Sequence, residues 1–136
     1  MRKNIVLCLL CVVFLFSMVG CGASTKISDF SGTWKQVNSK SEDSYQEAIM
    51  SGDSIEIYWI SDSGENRSLY WAGTYIAPET EVDTYSWDSV NDHEKTENAL
   101  LASTAETKTI SYKNGQLYYE VSALGTTTTV KLEKTK

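Results

Sequence analysis

Few side chains in this chain are suited to covalent or acid–base chemistry, and the sequence keeps them apart. The cysteines fall at 8, 11 and 21, all near the N-terminus. The single histidine, His93, stands between Asp92 and Glu94, a local pattern that suits proton transfer or metal ligation. Either role needs further partners, normally a second histidine or a thiolate, and residues 29–136 contain neither. His93 therefore reads as a solvated loop histidine. Asp62-Ser63-Gly64-Glu65-Asn66 groups acids around a glycine but lacks the ligand spacing of an EF-hand, so it reads as a solvated turn. No nucleophile, base and orienting group are set out together, and paired carboxylates arise by chance in so acidic a chain. These residues imply no catalytic site, no metal and no cofactor, and point away from an enzyme.

Cys21 has the most informative surroundings. Met1-Arg2-Lys3 gives a positive start, Ile5 to Val19 is almost unbroken apolar sequence, and Met18-Val19-Gly20 precedes the cysteine. A basic end, a short apolar core and small residues before a cut site mark a targeting segment, and the run is short for a membrane span of about 20 apolar residues. The pattern resembles the signal peptide and lipobox of bacterial lipoproteins, with Met18 where leucine is the commoner residue. The resemblance implies that residues 1–20 are removed and that Cys21 becomes the lipidated first residue. The chain would then be held on the extracytoplasmic face of the cell membrane. Two acyl chains suffice for stable anchoring. An ordinary secretory signal with an incidental cysteine and a retained membrane helix are the competing readings. Residues 21–28 would form the lipidated cysteine and a short tether, and 29–136 one domain without a disulfide.

The whole chain carries a net charge of −6, and loss of Arg2 and Lys3 makes the remainder more acidic still. A nucleic-acid binder needs a basic stripe, and none is present. Anionic head groups repel such a domain, so its membrane contact would run through the anchor alone. A single proline and abundant Thr, Tyr and Trp favour strands.

The domain opens with Asp29-Phe30-Ser31-Gly32-Thr33-Trp34. Gly-x-Trp at the start of a first strand resembles the lipocalin/calycin signature, with Gly32 and Trp34 at the matching positions. The resemblance implies a β-barrel whose closed end is crossed by Trp34, with Gly32 allowing close approach of the chain. A plain core tryptophan on a first strand is the alternative, and in both readings Trp34 has a packing role. Lipocalins often stack a late basic residue on that indole. No arginine follows Arg67, which leaves Lys131 or Lys134. The helix that usually follows the barrel is also lacking.

Periodicity predicts strands over 45–50 and 54–61, joined by a two-residue loop at Gly52-Asp53. Ile55, Ile57 and Trp59 share one face. A strand over 68–77 follows, with Leu69, Trp71, Gly73 and Tyr75 on one face, Trp59 expected opposite Leu69, and Ile57 opposite Trp71. Gly73 is placed where the strand could bend or let a ring cross it. Another strand spans 82–90. Residues 97–103 read as a helical turn or strand edge that plugs the barrel end. Asn114-Gly115 suits a type I′ turn that pairs Tyr112 with Leu117 and Ile110 with Tyr119. Gly125-Thr126 suggests a type II′ loop that pairs Val121 with Val130 and Tyr119 with Leu132.

About eight strands at short spacing imply an all-β fold, an antiparallel meander that closes into a small lipocalin-like barrel. The inward set is Trp34, Ile57, Trp59, Trp71, Tyr75, Ile110, Tyr112, Tyr119 and Leu132. Such large rings leave at most a shallow pocket at the barrel mouth. Tyr58, Tyr70, Ile76 and Tyr118 fall on the opposite faces, where a cluster would make a partner- or ligand-binding patch. The expected function is that of a membrane-anchored, non-enzymatic binding module for a protein or small molecule at the cell envelope. The alternatives are an envelope interference or occlusion protein of a mobile element, and a carrier of a small apolar ligand.

Overall fold

The computed structural model describes residues 26–136; the expected signal segment, Cys21 and the tether as far as residue 25 lie outside the described residues. The elements are β1 (Gly32–Gln36), β2 (Tyr45–Ser51), β3 (Ser54–Ser61), β4 (Asn66–Thr74), β5 (Thr84–Val90), α1 (His93–Thr96), β6 (Thr107–Lys113), β7 (Gln116–Ala123) and β8 (Thr126–Lys134). All eight strands join one antiparallel sheet in the order β4-β3-β2-β1-β8-β7-β6-β5. The protein is all-β, a meander curled into a half-barrel. The first and last strands meet at its centre, Trp34 opposite Lys134 and Gln36 opposite Leu132.

The two edge strands, β4 and β5, face each other across a seam that has no continuous ladder. One bridge, Gly73 with Asn91, spans it. Side chains supply the remaining bonds: Trp71 Nε1 donates to Ser89 Oγ at 3.0 Å, Trp87 Nε1 to the Thr74 carbonyl at 3.1 Å, and the Val90 amide to Thr74 Oγ1 at 2.9 Å. A Cβ on Gly73 would lie 2.7 Å from both Trp71 Nε1 and the Val90 carbonyl oxygen, and closer still to Ser89 Oγ. Glycine is needed here so that an indole and a neighbouring backbone can approach together.

Turn chemistry fixes most registers. Gly52 has φ +60 between the paired Ser51 and Ser54, as a first-position glycine requires. Asn114 and Gly115 both have positive φ, the mark of a type I′ turn, and Tyr112 pairs with Leu117. The expected Gly125-Thr126 loop is instead Leu124-Gly125, both at positive φ, with Ala123 opposite Thr126. The register is therefore displaced by two: Tyr119 pairs with Val130, Leu117 with Leu132, and Val121 with Thr128. A displacement of two keeps every side chain on its expected face.

Two further registers differ from expectation. Ile57 does face Trp71, but Tyr70 is bulged out of the ladder, so Trp59 faces Ser68 and Leu69 faces Tyr58. A bulge inserts one unpaired residue and reverses the side-chain phase beyond it. β5 starts at Thr84 because Val82 bridges to Ile27 of the N-terminal segment.

The half-barrel has unlike ends. One end receives the Gly52-Asp53 and Asn114-Gly115 turns and residues 75–83. Phe30 fills it, fully buried, with the rings of Trp34, Tyr75, Tyr85, Trp87 and Tyr112 within 6.3 Å centroid to centroid. Trp34 Nε1 donates to the Phe30 carbonyl at 2.8 Å. Stacking on Trp34 comes from Phe30, whereas Lys134 lies beside Gly32 and donates to the Asp29 carbonyl at 3.2 Å. At the other end the strands part around a cavity.

Candidate functional site

The cavity at the open end has a volume of about 550 Å³. Its floor and walls come from inward positions of the strands: Trp59 of β3, Tyr70 of β4, Lys108 of β6 and Val121 of β7. Residues 101–105, with Glu120, Ser122 and Ala123 of β7, form the remaining wall. The size lies within the usual range for small-molecule sites, and the lining is mixed, with Ser103, Thr104, Lys108, Glu120 and Ser122 beside the apolar residues.

Each wall residue is held by local structure. The bulge at Tyr70 turns both Tyr70 and Trp71 into the buried core, and the Tyr70 ring meets Trp59 edge-on at 5.5 Å. Residues 91–105 follow the free edge of β4 and cap its carbonyls, with the Asp92 amide donating to Ala72 and the Ser103 amide to Tyr70, each at 2.8 Å. Asn91 pins this segment from beneath: Nδ2 donates to the Ala105 carbonyl at 2.8 Å, and Oδ1 accepts from Thr96 Oγ1 at 2.6 Å. Covering the edge in this way also removes an open template for strand addition.

Lys108 is the one cation in the cavity lining. It pairs with the buried Ser89, so its side chain points inward. Its Nζ lies 5.0 Å from the Tyr70 ring centre, 5.5 Å from Trp71 and 5.8 Å from Tyr119, a set of cation–π contacts. Nζ donates to the Glu120 carbonyl at 3.1 Å. The ion pairs of the described residues are Arg67–Glu47, His93–Glu106 and Lys95–Glu56, and Lys108 belongs to none. Burial holds its pKa below the usual lysine value, against the opposing influence of the nearby Glu120 carboxylate. Below the cavity Tyr119 donates to Gln46 Oε1 at 2.6 Å, both residues being buried. Burial raises the Tyr119 pKa well above its ordinary value.

The residues expected to form an outer patch are separated. Tyr70 is inside the open end, because of the bulge. Tyr58 is on the outer face of β3, where its hydroxyl donates to Glu56 at 2.5 Å and Arg67 covers its ring at 4.3 Å. Lys95 completes that outer network through Glu56 at 2.5 Å. Ile76 is exposed near the filled end, and Tyr118 is on β7, apart from β3 in the sheet. His93 pairs with Glu106 at 2.9 Å on the surface, and Asp62 accepts a bond from Asn66 within its own turn. Among the described residues no three His, Cys, Asp or Glu side chains form a group able to hold a metal ion.

Sequence reasoning missed Lys108, Gln46 and Phe30. Strand parity carries a signal for the first two. Lys108 alternates with Ile110 and Tyr112, and Gln46 with Ala48 and Met50, and these apolar neighbours are all buried. Phe30 precedes the first strand and has no periodic signal. Compared with protein-family models, curated proteins and solved structures, the chain finds no match in any of the three.

Proposed function

We propose that this chain is a bacterial lipoprotein, anchored through Cys21 on the extracytoplasmic face of the membrane, whose open end is a non-enzymatic binding site. The half-open cavity between β3, β4, β6 and β7 carries this reading. Its rim adds exposed apolar residues, Leu100, Leu101 and Leu124. Exposed apolar groups around a concave site favour contact with a ligand or partner over plain solvation. The N-terminal segment supports the arrangement, because Ile27 is bridged to Val82 at the filled end. A tether that enters there directs the cavity away from the bilayer. The Gly32–Trp34 resemblance to lipocalins supports a calyx-like use of the barrel. Direct docking of the leucine rim on another envelope protein is a second reading, favoured by the nearly complete exposure of Leu100 and Leu124.

The test is site-specific photocrosslinking in intact cells, with a photoreactive residue at Leu101 or at Thr80 near the filled end. Protein or small-ligand adducts are expected from Leu101, and from Thr80 only adducts of membrane phospholipid, which intact mass distinguishes. Protein or small-ligand adducts from Thr80 alone, or none from Leu101, would contradict an open-end binding site.

A further inference from the structure

The reading of the open end as the binding end leaves its ligand chemistry open, and Lys108 narrows it. We propose that the cavity takes a small monocarboxylate with an apolar body, its carboxylate seated on the Lys108 ammonium and its body against Trp59, Tyr70 and Val121. This inference rests on the open-end reading and deepens it.

Three observations carry it. First, Lys108 is a half-buried cation that forms no ion pair among the described residues, with the Glu120 carboxylate in the same lining but outside ion-pair distance, in a chain of net charge −6. A buried charge is ordinarily paired, and removal from water costs energy that rings and one carbonyl offset only in part. Second, an ammonium has three N–H donors, and one is used on the Glu120 carbonyl. The others remain for an acceptor in the cavity that Lys108 lines. Third, one part of the wall is aromatic and aliphatic, while Ser103, Thr104, Glu120 and Ser122 make the rest polar. Trp59 and Tyr70 meet edge to face across it, and Val121 and Ala123 continue it towards the rim.

These features define the ligand's charge as well as its sign. A phosphate monoester would bring close to two negative charges to one ammonium and leave the second unpaired beside apolar walls. A cationic ligand would meet Lys108 where the faces of the rings are already occupied. A neutral apolar molecule would fill the volume but leave the ammonium donors unmet. A single carboxylate forms a charge-assisted bond to Nζ and keeps the apolar body out of water.

The experiment uses full-length protein in lipid nanodiscs and a matched pair of probes, 4-phenylbutanoate and its neutral isostere 4-phenylbutanamide, titrated by calorimetry. The carboxylate is expected to bind at least about tenfold more tightly than the amide, a difference of about 1.4 kcal/mol. Lys108→Met should abolish that preference, Lys108→Arg should retain it, and Lys131→Met, on the outer side of β8, should leave it unchanged. Circular dichroism of each variant confirms the fold. Equal binding of the two probes, a preference that survives Lys108→Met, or no binding of either would overturn the proposal. Equal binding would still leave the open end as a binding site, and the crosslinking comparison between Leu101 and Thr80 decides that reading separately.

Discussion

Gly73 and Phe30 govern the molecule at the scale of single residues. Gly73 gives the seam its closeness: its missing side chain leaves space for the Trp71 indole, the Ser89 hydroxyl and the Val90 carbonyl together. Since two of these atoms belong to β5, an added methyl must push the edge strands apart. Gly73→Ala is expected to destabilise the fold by about 1–3 kcal/mol, the usual cost of overpacking. Urea unfolding followed by tryptophan emission measures this, and an unchanged midpoint would show that the seam can open without cost. Phe30 has the complementary role at the filled end. Its loss empties a site bordered by five rings, so Phe30→Ala should cost about 3–5 kcal/mol in the same assay. Gly73 was legible in the sequence because a glycine inside an aromatic-rich strand marks a bend or a close approach of another group. Phe30 was not, since its neighbours in the core come from strands far along the chain.

Among the elements, two hairpins of the same turn type are built from different residues. Asn114-Gly115 is suited to two successive positive φ angles, and its register followed directly from the sequence. Leu124-Gly125 places a leucine at φ +51 and leaves its side chain fully exposed. A left-handed conformation costs a residue with a branched side chain roughly 1–2 kcal/mol. That local conflict concealed the turn, because Gly125-Thr126 fits turn rules better. The pairing faces survived since the displacement is even. Leu124→Asn recreates the favoured pair and should raise stability by about 1 kcal/mol, measured as an increase in the urea midpoint. If the rim serves binding, the same substitution should weaken crosslinking from Leu101. The bulge at Tyr70 was also concealed, as strict alternation gives no sign of an extra residue. It matters for the site, because it moves Tyr70 from the outer face into the cavity wall. Residues 97–103 were expected to plug the end; the longer segment 91–105 lines it and caps the β4 edge, held by Asn91 and Thr96, whose bonds have no periodic signature.

Across the whole molecule, the fold class, strand count and most of the inward set were legible, because alternation and turn residues agree along most of the chain. The candidate site was less so, since it depends on how a seam, a bulge and a loop converge. The many buried tyrosines set the response to alkali. Burial raises the pKa of Tyr58 and Tyr75 to about 12 from an ordinary 10.0, with Glu56 adding to the effect at Tyr58 and Tyr85 and Asp29 at Tyr75. Tyr70, Tyr112 and Tyr119 are raised in the same direction by burial. A folded pKa above the unfolded value means that the stability contribution is complete below pH 10.0 and is lost as pH rises towards 12. Absorbance at 295 nm should therefore show late tyrosine ionisation that coincides with loss of the folded circular dichroism signal. Ionisation of all tyrosines near pH 10.0 with the fold intact would contradict this placement of the rings.

The proposed function turns on an orientation in which a lipid at Cys21 would hold the filled end near the membrane and present the cavity outwards. Strands of nine residues such as β4 and β8 rise about 3.3 Å per residue, so the two ends are on the order of 25 Å apart even when the strands are tilted. The most direct measurement places a fluorophore at Thr80 or at Leu124 of the processed, acylated protein in vesicles whose head groups carry a spin-label quencher. Strong quenching at Thr80 and little at Leu124 is expected, with both lost in an unacylated chain of residues 21–136, which has neither the lipid nor the apolar segment. Equal quenching at the two positions, stronger quenching at Leu124, or quenching that persists in the unacylated chain of residues 21–136 would contradict this orientation.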